Sequence, residues 1–413
     1  MITMKQSLFL LFPLLLNADS LKSLLEFATH NNELISSKSI HKNAKRSEVK
    51  SSESDYYPTI DVGGFYQRSD DPNPIMPGTT YSGYAKVGFD VYSGGKKSYT
   101  LKQKKDEFSA SGHDYEATRK NIQLSIVQDF YHIKTLEASL MARVGASNAV
   151  LAQLQRMQKF YDAELATSDD VDRLQSAYDT NIYAIDSIKF EIYSLKKNIE
   201  LKVGKGIASF DKSTFTKIDT IEFTELDAIK SLKSTKSSII NASETIDSYY
   251  YPQIRVEDTY SLYGYQDEPS VSIMEQVDNQ NVLMASINLR LFDFSKLSEQ
   301  KEAVRLSADA LNEQITYQAK EQKMNQELSV RRIETAKLNI RTAKSALKAG
   351  TNALNTITQK YSSGIVDNVT YLDALSSQTE AKSTYESSLN NLELSYALYY
   401  FYNAQNLEEF LND

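Results

Sequence analysis

The chain has 413 residues, with 46 Lys and Arg against 54 Asp and Glu, a formal net charge of -8 and no cysteine. An acidic chain without a basic cluster is a poor nucleic-acid binder, which excludes that class. The lack of cysteine excludes a disulfide framework and an anchor through a lipidated cysteine, and only 14 Gly and 7 Pro suit long helices with narrow apolar seams.

Residues 1–18 read as an export signal: Lys5 supplies the positive start, Leu8 to Leu16 the apolar core, and Leu16-Asn17-Ala18 a small-residue cleavage site before Asp19. That core is too short to cross a bilayer as a helix. Asp19 to Ser54 then predicts one amphipathic helix marked by Leu21, Leu24, Leu25, Phe27, Ala28, Leu34 and Ile35, with Asp19 or Ser20 as its cap.

The next stretch, Asp55-Tyr56-Tyr57-Pro58-Thr59-Ile60-Asp61-Val62, returns about 200 residues later as Asp247-Ser248-Tyr249-Tyr250-Tyr251-Pro252-Gln253-Ile254-Arg255-Val256. Each copy stops a helix at Pro and opens an alternating run, as a strand reads. A second run follows each. In the first, Ala85, Val87, Phe89 and Val91 alternate with Lys86, Gly88, Asp90 and Tyr92; in the second, Leu283, Ala285, Ile287, Leu289 and Leu291 alternate with Ser286, Asn288 and Arg290. Runs of about 10–12 residues are long enough to cross a bilayer as tilted strands. The apolar sets, Ala85, Val87, Phe89, Val91, Leu283, Ala285, Ile287 and Leu289, are the expected lipid-facing residues, with tyrosines near the strand ends suited to an interfacial girdle.

After Gly94-Gly95, Lys96 to about Ala163 has no Pro, and Ile126, Phe130, Ile133, Leu140, Val144, Leu151, Leu154 and Met157 predict a seam along a helix about 100 Å long at 1.5 Å per residue. Ser168 or Asp169 is the expected cap of a returning helix that Gly204 and Gly206 end. The second half repeats the scheme, with a long helix from Leu297 to about Ser363, a turn at Gly364 to Asn368 and a return to about Asn406. The expected division is a first repeat over 19–206 (hairpin about 57–92, helical hairpin 96–203), an irregular connector over 207–221, and a second repeat over 222–413 (hairpin about 252–293, helical hairpin 295–406).

Open sheet edges cannot be left in lipid, and four strands are too few to close a barrel, since small ones begin at about eight. Several chains must then share one barrel, and three would give twelve strands with room for a pore. The fold class is mainly α with a small β part and an internal duplication.

These features resemble the TolC-like outer-membrane efflux proteins. The resemblance rests on the Tyr-Pro strand starts at Tyr57-Pro58 and Tyr251-Pro252, and on the strand exits Tyr92-Ser93-Gly94-Gly95-Lys96 and Phe292-Asp293-Phe294-Ser295. It also rests on the turn Tyr361-Ser362-Ser363-Gly364 before Leu372-Asp373-Ala374, with a weaker first-half counterpart at Tyr161-Asp162-Ala163-Glu164. It implies a homotrimer with a shared twelve-stranded barrel in the outer membrane of a Gram-negative bacterium and a periplasmic α-helical barrel. Such a duct passively conducts substrates in a tripartite efflux or type I secretion system, beside a periplasmic adaptor and an inner-membrane pump of RND, ABC or MFS type. By the same resemblance the periplasmic gate candidates are Asp373, Asp367, Thr370 and Tyr361, with Thr370 standing where the family has a second aspartate. The adaptor-docking turn candidates are Leu165, Ala166, Thr167, Gly364, Ile365 and Val366; the plainer account of these is that a turn needs small residues and glycine.

An enzyme is not expected. The histidines His30, His41, His113 and His132 form no metal-ligand pattern, Gly94-Gly95-Lys96-Lys97-Ser98 lacks the first glycine of a P-loop, and Asp169, Asp170 and Asp172 read as helix N-terminal acids. No cofactor or metal is expected. The competing reading is an exported coiled-coil envelope protein without a pore, which has no use for two bilayer-length hairpins.

Overall fold

The computed structural model describes residues 19–70, 78–218, 220–266 and 276–412. The expected export signal, residues 1–18, lies outside them. The chain divides into two units, one of Met1–Ser37, Glu116–Leu226 and Lys320–Asp413 and the other of Lys38–Tyr115 and Asp227–Ala319.

The segment expected as one helix is two, α1 (Leu21–Asn31) and α2 (Glu33–Ser54). Asn32 breaks it: its backbone is extended, its Oδ1 accepts from the N–H groups of Leu34 and Ile35 at 2.9 and 3.0 Å, and its Nδ2 donates to Lys202 O at 2.8 Å. An asparagine that caps the next helix ends the previous one. Ser20 caps α1 by accepting from Ser23 N.

Strands β1 (Thr59–Arg68) and β2 (Thr79–Ser93) form the first hairpin, and β4 (Gln253–Gln266) and β5 (Asn279–Asn288) the second. They join in one antiparallel sheet of order β1-β2-β4-β5. Strand β5 stops at Asn288, so Leu289 and Leu291 lie beyond it. The long helices are α3 (Lys96–Asp162) and α6 (Lys296–Ser362), each of 67 residues, with returns α4 (Ser168–Val203) and α7 (Asn368–Tyr402). Helix α5 (Asp227–Asp247) starts later than the expected Glu222 and is followed by a short 3-10 turn, Ser248–Tyr250.

The expected seam of α3 is only half right. Ile126, Phe130 and Ile133 are buried, and Leu154 and Met157 pack half-buried against the core at the helix turns, but between them the buried positions are Ala138, Ala142, Ala146, Ser147 and Val150, while Val144 is exposed. In α6 the buried positions Ala308, Ile315, Gln322, Ser329, Ala336 and Ala343 recur every seventh residue. A seven-residue repeat is the coiled-coil period, and here small side chains occupy four of its six positions, Ala308, Ser329, Ala336 and Ala343. Gly350 continues the repeat, where an added Cβ would stand 3.4 Å from Gln378 Cα. A reading that weights large apolar residues misses a seam set by close backbone approach.

In the first unit the main core gathers around the end of α7. Tyr396, Ala397 and Tyr400 are buried with Leu21, Leu24 and Leu25 of α1, Phe130 and Ile133 of α3, Ile199 and Val203 of α4, and Phe215. The connector over 207–221 is not wholly irregular: β3 (Thr214–Phe215) pairs with β6 (Leu411–Asn412). Phenols hold it. Tyr131 OH donates to Ser213 O at 3.0 Å, Tyr400 OH donates to Thr216 O and accepts from Ile218 N, and Tyr399 OH accepts from Ile221 N. Burial pushes the Tyr400 hydroxyl up to about 12.

Candidate functional site

Two surfaces carry the residues singled out by the sequence, the helix turns of the first unit and the sheet of the second.

Each long helix ends in the same backbone device. Glu164 and Gly364 take left-handed φ of 61° and 71°. Their N–H groups donate to Tyr161 O and Tyr361 O at 2.9 and 3.0 Å, and those of Leu165 and Ile365 to Phe160 O and Lys360 O at 2.8 and 2.9 Å. This double bond pattern is the Schellman cap. The next residues start the returning helices. Thr167, rather than Ser168 or Asp169, caps α4: its Oγ1 accepts from Asp170 N while the Asp170 carboxylate accepts from the Thr167 hydroxyl at 2.9 Å. In the second turn the residue types are exchanged. Asp367 accepts from Thr370 N at 2.9 Å and from the Thr370 hydroxyl at 2.6 Å. Those bonds hold the Asp367 carboxyl below its ordinary range.

The turns touch each other through Asn368, whose Nδ2 donates to Asp170 O and Oδ1 at 3.3 and 3.2 Å. Behind them Tyr361 and Tyr371 stack at 5.0 Å between ring centroids, buried with Ala146, Val150, Leu174 and Leu375. Burial pushes both phenols up. The four gate candidates thus do different things here. Tyr361 is core, Asp367 and Thr370 are a cap pair, and Asp373 is exposed on a groove of about 360 Å³ shared with Arg143, Arg173 and Thr379. Of the docking candidates, Leu165 and Ile365 are 76% and 70% exposed, Ala166 and Val366 are half-buried, and Thr167 and Gly364 are exposed. The Asn368–Asp170 contact has no sequence signal beyond two polar residues near a turn.

The sheet separates its faces by register. Ala85, Val87 and Phe89 oppose Tyr260, Asp258 and Val256 of β4, which oppose Asn281, Leu283 and Ala285 of β5; Ile254 opposes Ile287. The expected lipid-facing residues of the two hairpins therefore share one face, except Val91 at a bulge between Asp90 and Tyr92 and Leu289 past the strand end. Asp258 is the exception in charge, an exposed carboxylate between Val87 and Leu283. The opposite face is polar. Arg255 donates from Nη1 to Asp90 Oδ1 at 2.8 Å and from Nε to Glu257 Oε1 at 2.9 Å. Lys86 lies 3.6 Å from Glu257 and Lys97 3.2 Å from Asp90. The strand exits repeat like the turns: Gly94 and Gly95 have φ of 64° and 88°, and Phe294 and Ser295 adopt 53° and 64° in the same places.

Among the described residues no helix is long and apolar enough to cross a membrane, and no group of His, Cys, Asp and Glu could hold a metal ion. Residues 24–182 match the family model described as outer membrane efflux protein. No curated protein matches. Among solved structures, the fold is that of the Campylobacter jejuni CmeC outer membrane channel (TM-score 0.82, 12% identity, 94% of this chain and 86% of that one). It is likewise that of the Vibrio cholerae outer membrane protein VceC (0.80, 13%, 94% and 96%) and of the open state of the Neisseria gonorrhoeae MtrE outer membrane channel (0.75, 12%, 94% and 89%).

Proposed function

We propose that the chain is a TolC-like outer-membrane efflux protein and the exit duct of a tripartite efflux or type I secretion system, a reading supported by the family match over residues 24–182 and by the fold over nearly all its length. The matched family is described as outer membrane efflux protein, and CmeC and MtrE are outer membrane channels. Three copies would close a twelve-stranded barrel in the outer membrane, with the helical hairpins of both repeats extending into the periplasm after removal of residues 1–18. The duct conducts passively what an inner-membrane pump of RND, ABC or MFS type and a periplasmic adaptor deliver. Leu165 and Ile365 present the adaptor with apolar contacts, and Asp373 is the remaining gate carboxylate.

One observation carries the reading. Two hairpins from distant repeats form a single sheet with one apolar and one polar face, whose outer strands β1 and β5 each pair on one side only. Such a sheet is stable in lipid only if its edges meet those of further copies. The test is the mass of the particle extracted by detergent from outer membranes, by light scattering corrected for detergent. Three protomers are expected; a soluble monomer or dimer would remove the barrel.

A further inference from the structure

The polar face of the sheet carries more organised charge than a water-filled wall needs. Five ionised side chains form one connected ladder from β2 through β4 to the start of α3: Lys86, Glu257, Arg255, Asp90 and Lys97. Arg255 is its centre, because its planar fork reaches two carboxylates from two nitrogens, which a lysine cannot reproduce. Gly88 lies beside the fork, and an added Cβ there would stand 2.7 Å from Arg255 Nη2 and 3.3 Å from Thr59 Oγ1. With Asp61, which opposes Lys86 in β1, the band contains three bases and three acids, five of them on one face of the sheet and Lys97 at the start of α3.

We infer that Arg255 sets the ion selectivity of the barrel, by neutralising Asp90 and Glu257 on a wall that would otherwise be acidic. The inference rests on the channel reading, in which three copies turn this face toward the lumen. A ring of wall charges acts on permeant ions according to its net sign, and low-dielectric walls focus that field. As built, the band is balanced, and the barrel discriminates little between small cations and anions. This suits a duct whose cargo is chosen elsewhere. Removing Arg255 leaves each protomer one base short, so the change is threefold around the pore.

The experiment is the reversal potential of purified full-length channels in planar bilayers under a potassium chloride gradient, near 0.1 M where screening extends over about 10 Å. Arg255→Gln is expected to raise the cation-to-anion permeability ratio about twofold or more, and the double variant Asp90→Asn, Glu257→Gln to lower it. Asp61→Asn, at an exposed position outside the ladder, keeps the test open where Arg255→Gln does not insert; it too is expected to shift the potential toward anions. Conducting variants with the unchanged reversal potential overturn the inference while leaving the channel standing. A wild-type protein that inserts but never conducts overturns the channel reading itself.

Discussion

Replacing Glu164 by glycine should stabilise the first helix turn, and replacing Gly364 by alanine should destabilise the second. Glu164 and Gly364 hold the same left-handed backbone and the same two cap hydrogen bonds. An L-residue pays about 1–2 kcal/mol for that conformation, and glycine escapes this but loses about 0.4–1 kcal/mol through a freer unfolded chain. The net gain from Glu164→Gly is therefore about 0.5–1 kcal/mol, roughly a two- to fivefold slower local opening, and Gly364→Ala reverses it. Hydrogen exchange at the amides of residues 165 and 365 reads these openings directly. Slower exchange at 165 in the first variant and faster exchange at 365 in the second are expected. If Glu164→Gly leaves or weakens protection at 165, a side-chain contact of Glu164 outweighs its backbone cost and the reasoning fails.

Tyr400→Phe leaves Thr216 O and Ile218 N–H without the hydroxyl; because both residues are exposed and water can replace it, the loss is about 0.5–1.5 kcal/mol per bond, and it should appear as faster proteolysis of the 207–221 connector; unchanged cleavage would remove the phenol clasp. The Tyr400 phenol is raised to about 12, so its support is complete below the unfolded value near 10 and lost as pH rises through 12; connector cleavage should accelerate across that window in wild type and not in Tyr400→Phe. Lysine at Val87 or Ile287 should cost about 2–4 kcal/mol at mid-bilayer and lower the yield of assembled particles in outer membranes, whereas normal assembly would show that this face does not meet lipid. Asp373→Ala is expected to weaken block of the conductance by multivalent cations, and unchanged block would place the gate elsewhere.

The duplication made much of the fold legible, since a Tyr-Pro stop followed by alternation states helix, turn and strand without tertiary information. Alternation also placed Val87 and Ile287 on one face. It could not place Arg255 against Asp90, because that pairing needs the register between strands, for two residues 165 apart in the chain. The helix seams were misread where Ala138, Ala142 and Ala146 are buried in place of Val144, since transfer energy favours the larger residue and close backbone approach the smaller. At the turns the sequence pointed to glycine, and so undervalued Glu164, which takes the same conformation under the pull of two hydrogen bonds. The gate candidates came from resemblance alone, and the local chemistry that makes Asp367 a cap was visible only as an Asp three residues before a Thr.

The pairing of β3 with β6 bears on the order of folding. Strand β3 lies between the repeats, but its partner and the phenols of Tyr399 and Tyr400 belong to the latest-made of the described residues. The first repeat can form its helices early and hold the connector as far as Ser213 through Asp19, Tyr131 and Lys134, yet the stretch from Thr214 to Ile221 lacks its strand partner and its phenols until the second repeat has been made and has docked. Closing a loop of that length costs little more entropy than closing one half as long, so the arrangement delays completion without weakening the product. A chain crossing a membrane in the unfolded state benefits from such a delay, because no finished core stands between it and the translocation path.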